Sequence, residues 1–300
     1  MNNSSEKDLS PVSLGVIGGS GAYNLLTDGA LGEKQSTSIL ETPFGKSAPI
    51  HHFRIGKLEY LFLSRHGEKD YLITAPFVNY RANIYALKEC GVERIISWSG
   101  PGIINASFKP GEYALPTDII DETRNRQTTF FKDRGIGFIR QNEPFCPQIR
   151  EVIHDSMHTV GFAHHEKAVY VCTEGPRLET PAEIKKFRLH GGDLVGMTLV
   201  PELFLARELE MCYASICYLT NFAEGTITRE FKTGELFEGM QTNKEKNQVE
   251  KSISRFPSIL AGTFLSLSRT KRTCHCKDAM TRYKKKGVIN DDWHTWLGPA

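Results

Sequence analysis

No uninterrupted apolar stretch in this 300-residue chain approaches the roughly 18 residues that a membrane-spanning helix needs, so no membrane partner is expected. The first ten residues, Met1 to Ser10, are polar, and no secretory leader is legible in them. An excess of charge of one sign is also lacking. Lys and Arg number 37 against 35 Asp and Glu, a formal net charge of +2, which leaves no basic footprint to suggest nucleic acid. Internal repeats and low-complexity stretches are absent as well, which argues against solenoids and disordered arrays. Cysteine is present in an odd number, seven, and Cys90, Cys172, Cys212 and Cys217 lie inside apolar segments. Reduced, buried thiols in a cytoplasmic protein are the simplest account.

What remains is an ordinary globular composition, 40% hydrophobic and 24% charged. At this length one large α/β domain is expected in preference to two small ones. Short apolar runs at Leu14–Ile17, Glu59–Leu63, Arg94–Ser97, Tyr113–Ile120, Lys167–Cys172 and Cys212–Leu219 read as strands. Between them, helices are predicted at 80–89, 181–189, 200–208 and 245–267, with Thr180 as an N-cap and Pro181 in the first turn of the second. Strands alternating with helices predict a mixed, mainly parallel central sheet flanked by helices. The domain should run from 12 to 268. Residues 269–300, rich in Lys and Arg, are expected to form a peripheral basic tail, packed on a neighbouring subunit if on anything.

Four islands carry the chemistry: Gly18-Gly19-Ser20-Gly21, Arg65-His66-Gly67, Thr173 to Glu179 and Gly196 to Glu202. Most fall where a strand ends, the place ligands occupy in such sheets. The glycine turn can form an anion nest with the Ser20 hydroxyl, or it can be a structural turn. It also offers G-x-G for a dinucleotide, but Asn24 stands where a third small residue belongs. Arg65 brings a planar fork that cannot lose its charge. His66 can add a hydrogen bond or be structural. Ser99-Gly100-Pro101-Gly102 joins a hydroxyl to tight backbone, Met197-Thr198 sets a sulfur surface beside a hydroxyl, and Asn221 follows the longest apolar strand. Cys274-His275-Cys276 gathers three potential ligands, one short of a closed zinc site. A redox-capable or merely exposed thiol pair is expected there, not a metal.

In order and spacing these islands resemble the trimeric purine nucleoside phosphorylases, and especially the methylthioadenosine phosphorylase branch. The resemblance covers about three-quarters of the chain, with Glu174-Gly175-Pro176-Arg177, Met197-Thr198-Leu199-Val200-Pro201-Glu202, Val78 to Asn83 and Glu143 to Pro147 as its most specific stretches. It implies a phosphate site at Ser20, Arg65, His66, Ser99, the Gly100 amide and Thr198, with Met197 under a ribose. It also implies Leu178, Asn221, Ala223, Leu236 and Phe237 around a nucleoside, with Asn221 as the catalytic base-edge group. The implied reaction is phosphorolysis of a purine nucleoside, with inorganic phosphate as co-substrate and neither metal nor organic cofactor. A cytoplasmic homotrimer, or a dimer of trimers, is implied as the working unit. Some relatives carry a C-x-C near the C-terminus associated with disulfide chemistry.

The departures from that pattern point to the substrate. Adenine-specific members of the family have Asp at the positions matching Asn221 and Ala223. An amide can donate as well as accept, whereas Ala223 cannot accept from a 6-amino group, so 6-oxopurines are expected. Leu178 replaces a stacking Phe of the methylthio branch, and Pro101 alters the Ser99 to Gly102 loop. The acceptor for purine N1–H is open, with Glu224 one candidate. Leu236 and Phe237 match an apolar wall at the sugar 5′ end, leaving inosine, guanosine and methylthioinosine open. Methylthioadenosine is the alternative substrate. A nicotinamide enzyme and a nucleic-acid binder acting through the basic tail are the rivals of other classes.

Overall fold

The computed structural model describes residues 12–21, 25–26, 29–68, 72–229 and 233–297. The leader reading at Met1 to Ser10 and the nucleotide-turn reading at Ala22 to Asn24 lie outside these residues. Twelve strands are described: β1 (Leu14–Gly18), β2 (Glu33–Ser38), β3 (Glu41–Thr42), β4 (Gly45–Lys46), β5 (Ile50–Ile55), β6 (Leu58–Ser64), β7 (Arg94–Ser99), β8 (Gly102–Ile103), β9 (Tyr113–Glu122), β10 (His164–Thr173), β11 (Leu194–Gly196) and β12 (Cys212–Tyr218). The α-helices are α1 (Tyr80–Glu89), α2 (Pro147–Thr159), α3 (Pro181–Leu189), α4 (Leu199–Glu208), α5 (Asn243–Arg269) and α6 (Thr281–Lys285).

Ten strands form one sheet in the order β2-β5-β6-β1-β7-β12-β9-β10-β11-β8. The neighbours β6, β1, β7 and β12 are mutually parallel. β1, β7 and β12 are buried along their whole length, which is why they read as continuous apolar runs and not as alternation. β7 and β8 are joined by Gly100-Pro101 alone, yet they stand at opposite ends of the run β7-β12-β9-β10-β11-β8. That half of the sheet must therefore curl back on itself. A bridge from Ile103 in β8 to Phe222, just beyond β12, marks the closure. The curl brings the turns after β10 and β11 to the mouth already formed by the carboxyl ends of β1, β6, β7 and β12.

The expected helices are present. α3 carries a complete capping box between Thr180 and Glu183. α4 departs from its expected start: Val200 is non-helical (φ −102, ψ 131), so regular helix begins only beyond it, and Thr198 does not abut a clean helix N-terminus. Two elements have weak sequence signals. β5 interrupts its apolar residues with His51 and His52, both buried and bonded to Thr37 and Glu59. α2 buries Ile149, Ile153 and Met157 on one face, a narrow i, i+4, i+8 stripe in a polar segment. No described helix is long and apolar enough to cross a membrane.

The segment after 269 corrects the expectation of a peripheral tail. Met280, Tyr283, Ile289 and Trp296 are buried in the main core of their own chain. Arg94 donates to Thr270 O, the Gln148 side chain bonds Lys271 O and the Thr273 hydroxyl, and the buried Glu210 accepts from Lys284 and the Met280 amide. His275 points to solvent, while Cys274 and Cys276 are buried beside Cys146 and Cys212. The sequence reading of three ligands in a row fails because the chain turns the histidine outward and the fold supplies two more thiols. Trp296 is 1% exposed and donates to Asn290 O. Trp296→Ala should cost about 3–5 kcal/mol in denaturant unfolding, and an unchanged midpoint would restore the peripheral picture.

Candidate active site

A cavity of ≈ 510 Å³ opens at the shared mouth, within the range that holds small ligands. Gly19, Ser20, Arg65, His66, Ser99, Gly100, Met197, Thr198, Leu178, Asn221, Ala223 and Phe237 line it. Leu236 does not, and is 55% exposed. Every other residue singled out for the site is thus brought to one cavity.

Arg65 directly follows β6 and is 1% exposed. Its Nε donates to Glu202 Oε1 at 2.7 Å and its Nη2 to Glu202 Oε2 at 2.8 Å, a bidentate pair with strict geometry. Nη2 also donates to Ser97 Oγ, and Nη1 to Trp98 O. Tyr213 donates a further hydrogen bond to Glu202 Oε2 at 2.7 Å. Burial alone pulls the Arg65 pKa down, but the facing Glu202 carboxylate more than offsets it and the net shift is up. The guanidinium lies directly beneath the glycine turn. A Cβ on Gly19 would sit 2.4 Å from Trp98 O and 2.8 Å from Arg65 Nη1, so only glycine lets the turn close over it.

His66 bonds Ile73 O through Nδ1 at 2.8 Å. A carbonyl only accepts, so Nδ1 carries the proton and Nε2 the lone pair. Burial first, then the Arg65 charge, lowers the His66 pKa to about 3. The imidazole is therefore neutral at physiological pH.

Tyr218 couples the two turns that follow β1 and β7. Its hydroxyl donates to Ser20 O at 2.6 Å, its ring stacks on Trp98, and a Cβ on Gly100 would lie 2.6 Å from that ring. Arg126, with a side chain 1% exposed, donates to the carbonyls of Met197, Val200, Thr173 and Glu174, so it pins the turns after β10 and β11 together. Neither residue stands out in the sequence. Tyr218 closes an apolar strand, and Arg126 sits in a polar loop among other charges.

The far wall is set by Asn221, 4% exposed. Its Oδ1 accepts from the Thr220 hydroxyl, and its Nδ2 donates to Phe222 O and, weakly, to Met240 Sδ at 3.7 Å. Two carboxylates line the cavity, Glu179 and Glu224. Burial raises the Glu179 pKa, only partly countered by the Thr173 hydroxyl that donates to it at 2.6 Å. Phe237, Met240, Val249 and Ile253 complete an apolar side. Together the lining offers hydroxyl and guanidinium groups suited to a small oxyanion and an amide with carboxylates suited to a planar polar ring.

This fold and site define a class, and similarity to known proteins names it. Residues 13–254 match the sequence model of the phosphorylase superfamily, and the chain belongs to that family. It is 39% identical over 274 residues to the 6-oxopurine nucleoside phosphorylase of Pyrococcus furiosus, with 89% of this chain and 97% of the relative covered. It is equally, 39%, identical to a probable S-methyl-5′-thioinosine phosphorylase of Methanopyrus kandleri, with 89% and 97% covered. Methylthioadenosine phosphorylase from Schistosoma mansoni, solved with adenine, superimposes with a TM-score of 0.77 at 27% identity, with 92% of this chain and 98% of that one covered.

Two outcomes follow from the electrostatics. Glu202→Gln strands the buried Arg65 charge and should destabilise the protein by about 3–5 kcal/mol in denaturant unfolding; unchanged stability would show that the pair supports nothing. The His66 ring, followed by NMR from pH 5 to 8, should show no titration, because its folded pKa lies below that window. A step near the ordinary histidine value would sink the neutral-imidazole assignment.

Proposed function

We propose that this protein catalyses phosphorolysis of 6-oxopurine nucleosides, releasing the free base and a ribose 1-phosphate or its 5-methylthio analogue. The observation that carries the base preference is that Asn221, Ala223 and Glu179 line the same cavity. A 6-oxopurine presents N7 and O6 as acceptors and N1–H as a donor. With one Asn221 N–H held by Phe222 O, the other donates to N7 or O6, displacing its weak contact with Met240. Glu179, buried and oriented by Thr173, accepts from N1–H, a better-placed candidate than the sequence-level choice, Glu224. Ala223 offers a 6-amino group no acceptor.

At the other end Ser20, Arg65, Ser99, Thr198 and the Gly100 amide hold inorganic phosphate. The neutral His66 accepts a hydrogen bond from the phosphate hydroxyl at Nε2. As the glycosidic bond lengthens, positive charge grows on the ribose and negative charge on the departing purine. The bound phosphate stabilises the first and attacks the anomeric carbon, while the Asn221 donor stabilises the second. Met197 packs beneath the sugar. No side chain serves as a nucleophile, so alignment does the catalysis. The apolar side of Phe237, Met240, Val249 and Ile253 favours a methylthio sugar as the second reading. The working unit is a homotrimer. Leu72 and Phe77, 70% and 77% exposed beside the segment hydrogen-bonded to His66, give a neighbouring subunit an apolar surface near the cavity.

The test is purine release from inosine, guanosine, adenosine, methylthioinosine and methylthioadenosine, each with and without phosphate. Phosphate-dependent cleavage of the 6-oxo compounds alone is expected, and Asn221→Ala should lower that rate by about 10²–10³-fold. Equal or faster turnover of the adenine compounds would overturn the base assignment.

A further inference from the structure

The chemistry described so far sits at the carboxyl ends of the strands. At the opposite end lies a cluster that it does not use. Cys212 opens β12, Cys146 is the N-cap of α2, and Cys274 and Cys276 flank the outward-pointing His275 in the C-terminal segment. All four are buried, at 0%, 0%, 7% and 4% exposure respectively for Cys212, Cys146, Cys274 and Cys276. Their sulfurs all lie within 4.8 Å of one another, with Cys212 and Cys274 at 3.3 Å. A tetrahedral zinc thiolate site, with Zn–S near 2.3 Å, needs sulfurs roughly 3.8 Å apart. The four thiols therefore surround a point at which such an ion fits with small movements of their side chains.

We propose that Cys146, Cys212, Cys274 and Cys276 form a structural tetrathiolate site for zinc(II). Four soft ligands in a closed tetrahedral arrangement select this ion and leave no position for a substrate. As Zn²⁺ enters, four thiol protons leave to solvent and no redox partner is needed. The resulting net negative charge has its compensation in place. Arg272 Nε donates to Cys212 Sγ at 3.1 Å, the Cys276 amide donates to the Cys274 sulfur, and the Arg150 charge faces Cys146. The site ties the start of β12 and the start of α2 to a segment more than 60 residues further on, which explains how the short pieces after α5 stay docked. β12 alone spans roughly 20 Å between this cluster and the nucleoside cavity, so the ion would hold the fold and take no part in turnover.

The full chain, purified from zinc-supplemented medium without chelator, should contain about one zinc per chain. Stripped of metal and denatured without reductant, it should show all seven thiols. The stripped native protein titrated with Co²⁺ should develop thiolate-to-cobalt charge-transfer absorption and strong tetrahedral d–d bands, and should melt at higher temperature with Zn²⁺ than without. Cys146→Ser and Cys276→Ser should lose the cobalt spectrum, whereas Cys90→Ser, outside the cluster, should keep it. Because the wild-type spectrum and metal content stand alone, poorly folding variants do not weaken the test. Fewer than seven thiols with no metal would mean that the cluster forms disulfides, and seven thiols with no cobalt spectrum would mean that it is merely packed. Either result overturns the proposal.

Discussion

The buried pair of Arg65 and Glu202 is the constraint on which the site depends. It joins the end of β6 to α4 across 137 residues of sequence and draws in Ser97 of β7 and Tyr213 of β12. A buried ion pair is poor evidence for stability, since desolvation can cancel the attraction. What it supplies here is position. The guanidinium is held from below by a carboxylate, a hydroxyl and a backbone carbonyl, so its orientation is settled before any ligand arrives. The glycine turn can then close over that plane because Gly19 has no side chain to collide with it.

The electrostatics of the cavity follow from that pair. Glu202 offsets the Arg65 charge, and burial keeps His66 neutral, so the site does not rely on a strong positive field. On the proposed function, an anion there would be held by directed hydrogen bonds in a sheltered place, where each counts for more than in water. This agrees with a chain whose overall charge is nearly balanced. It also means that misplacing a donor matters more than removing a charge. Tyr218 and Arg126 matter for that reason: one locks the turns after β1 and β7 to each other, and the other locks the turns after β10 and β11.

Much of the site is legible in the order of residues along the chain. Ser20, Arg65, Ser99 and Asn221 each follow a strand readable in the sequence, and strand ends in such sheets meet at one edge; the short β11 before Thr198 is not among them. The central strands are readable because burial on both faces leaves continuous apolar runs. Elements whose burial rests on particular partners are not. β5 hides two histidines that need Thr37 and Glu59, and α2 shows only a thin apolar stripe. Glu179 lies inside an island without standing out from Glu224, because the difference between them is burial, which no local pattern reports. Leu236, taken from the apolar wall of the resembling family, is exposed and does not line the cavity.

The sequence by itself determined the class of fold, the turns that can cradle an anion and the uncharged side chains at Asn221 and Ala223. Those are local properties of backbone freedom, hydrophobic runs and side-chain chemistry. Only the tertiary structure decided which distant groups meet. The curl of the sheet delivers Met197 and Glu179 to a mouth built by β1, β6, β7 and β12. At the far end, the same packing gathers Cys146 and Cys212 around Cys274 and Cys276 and turns His275 away. Such meetings depend on how strands register and how the sheet closes, which is a cooperative outcome of the whole core and cannot be read from any one segment.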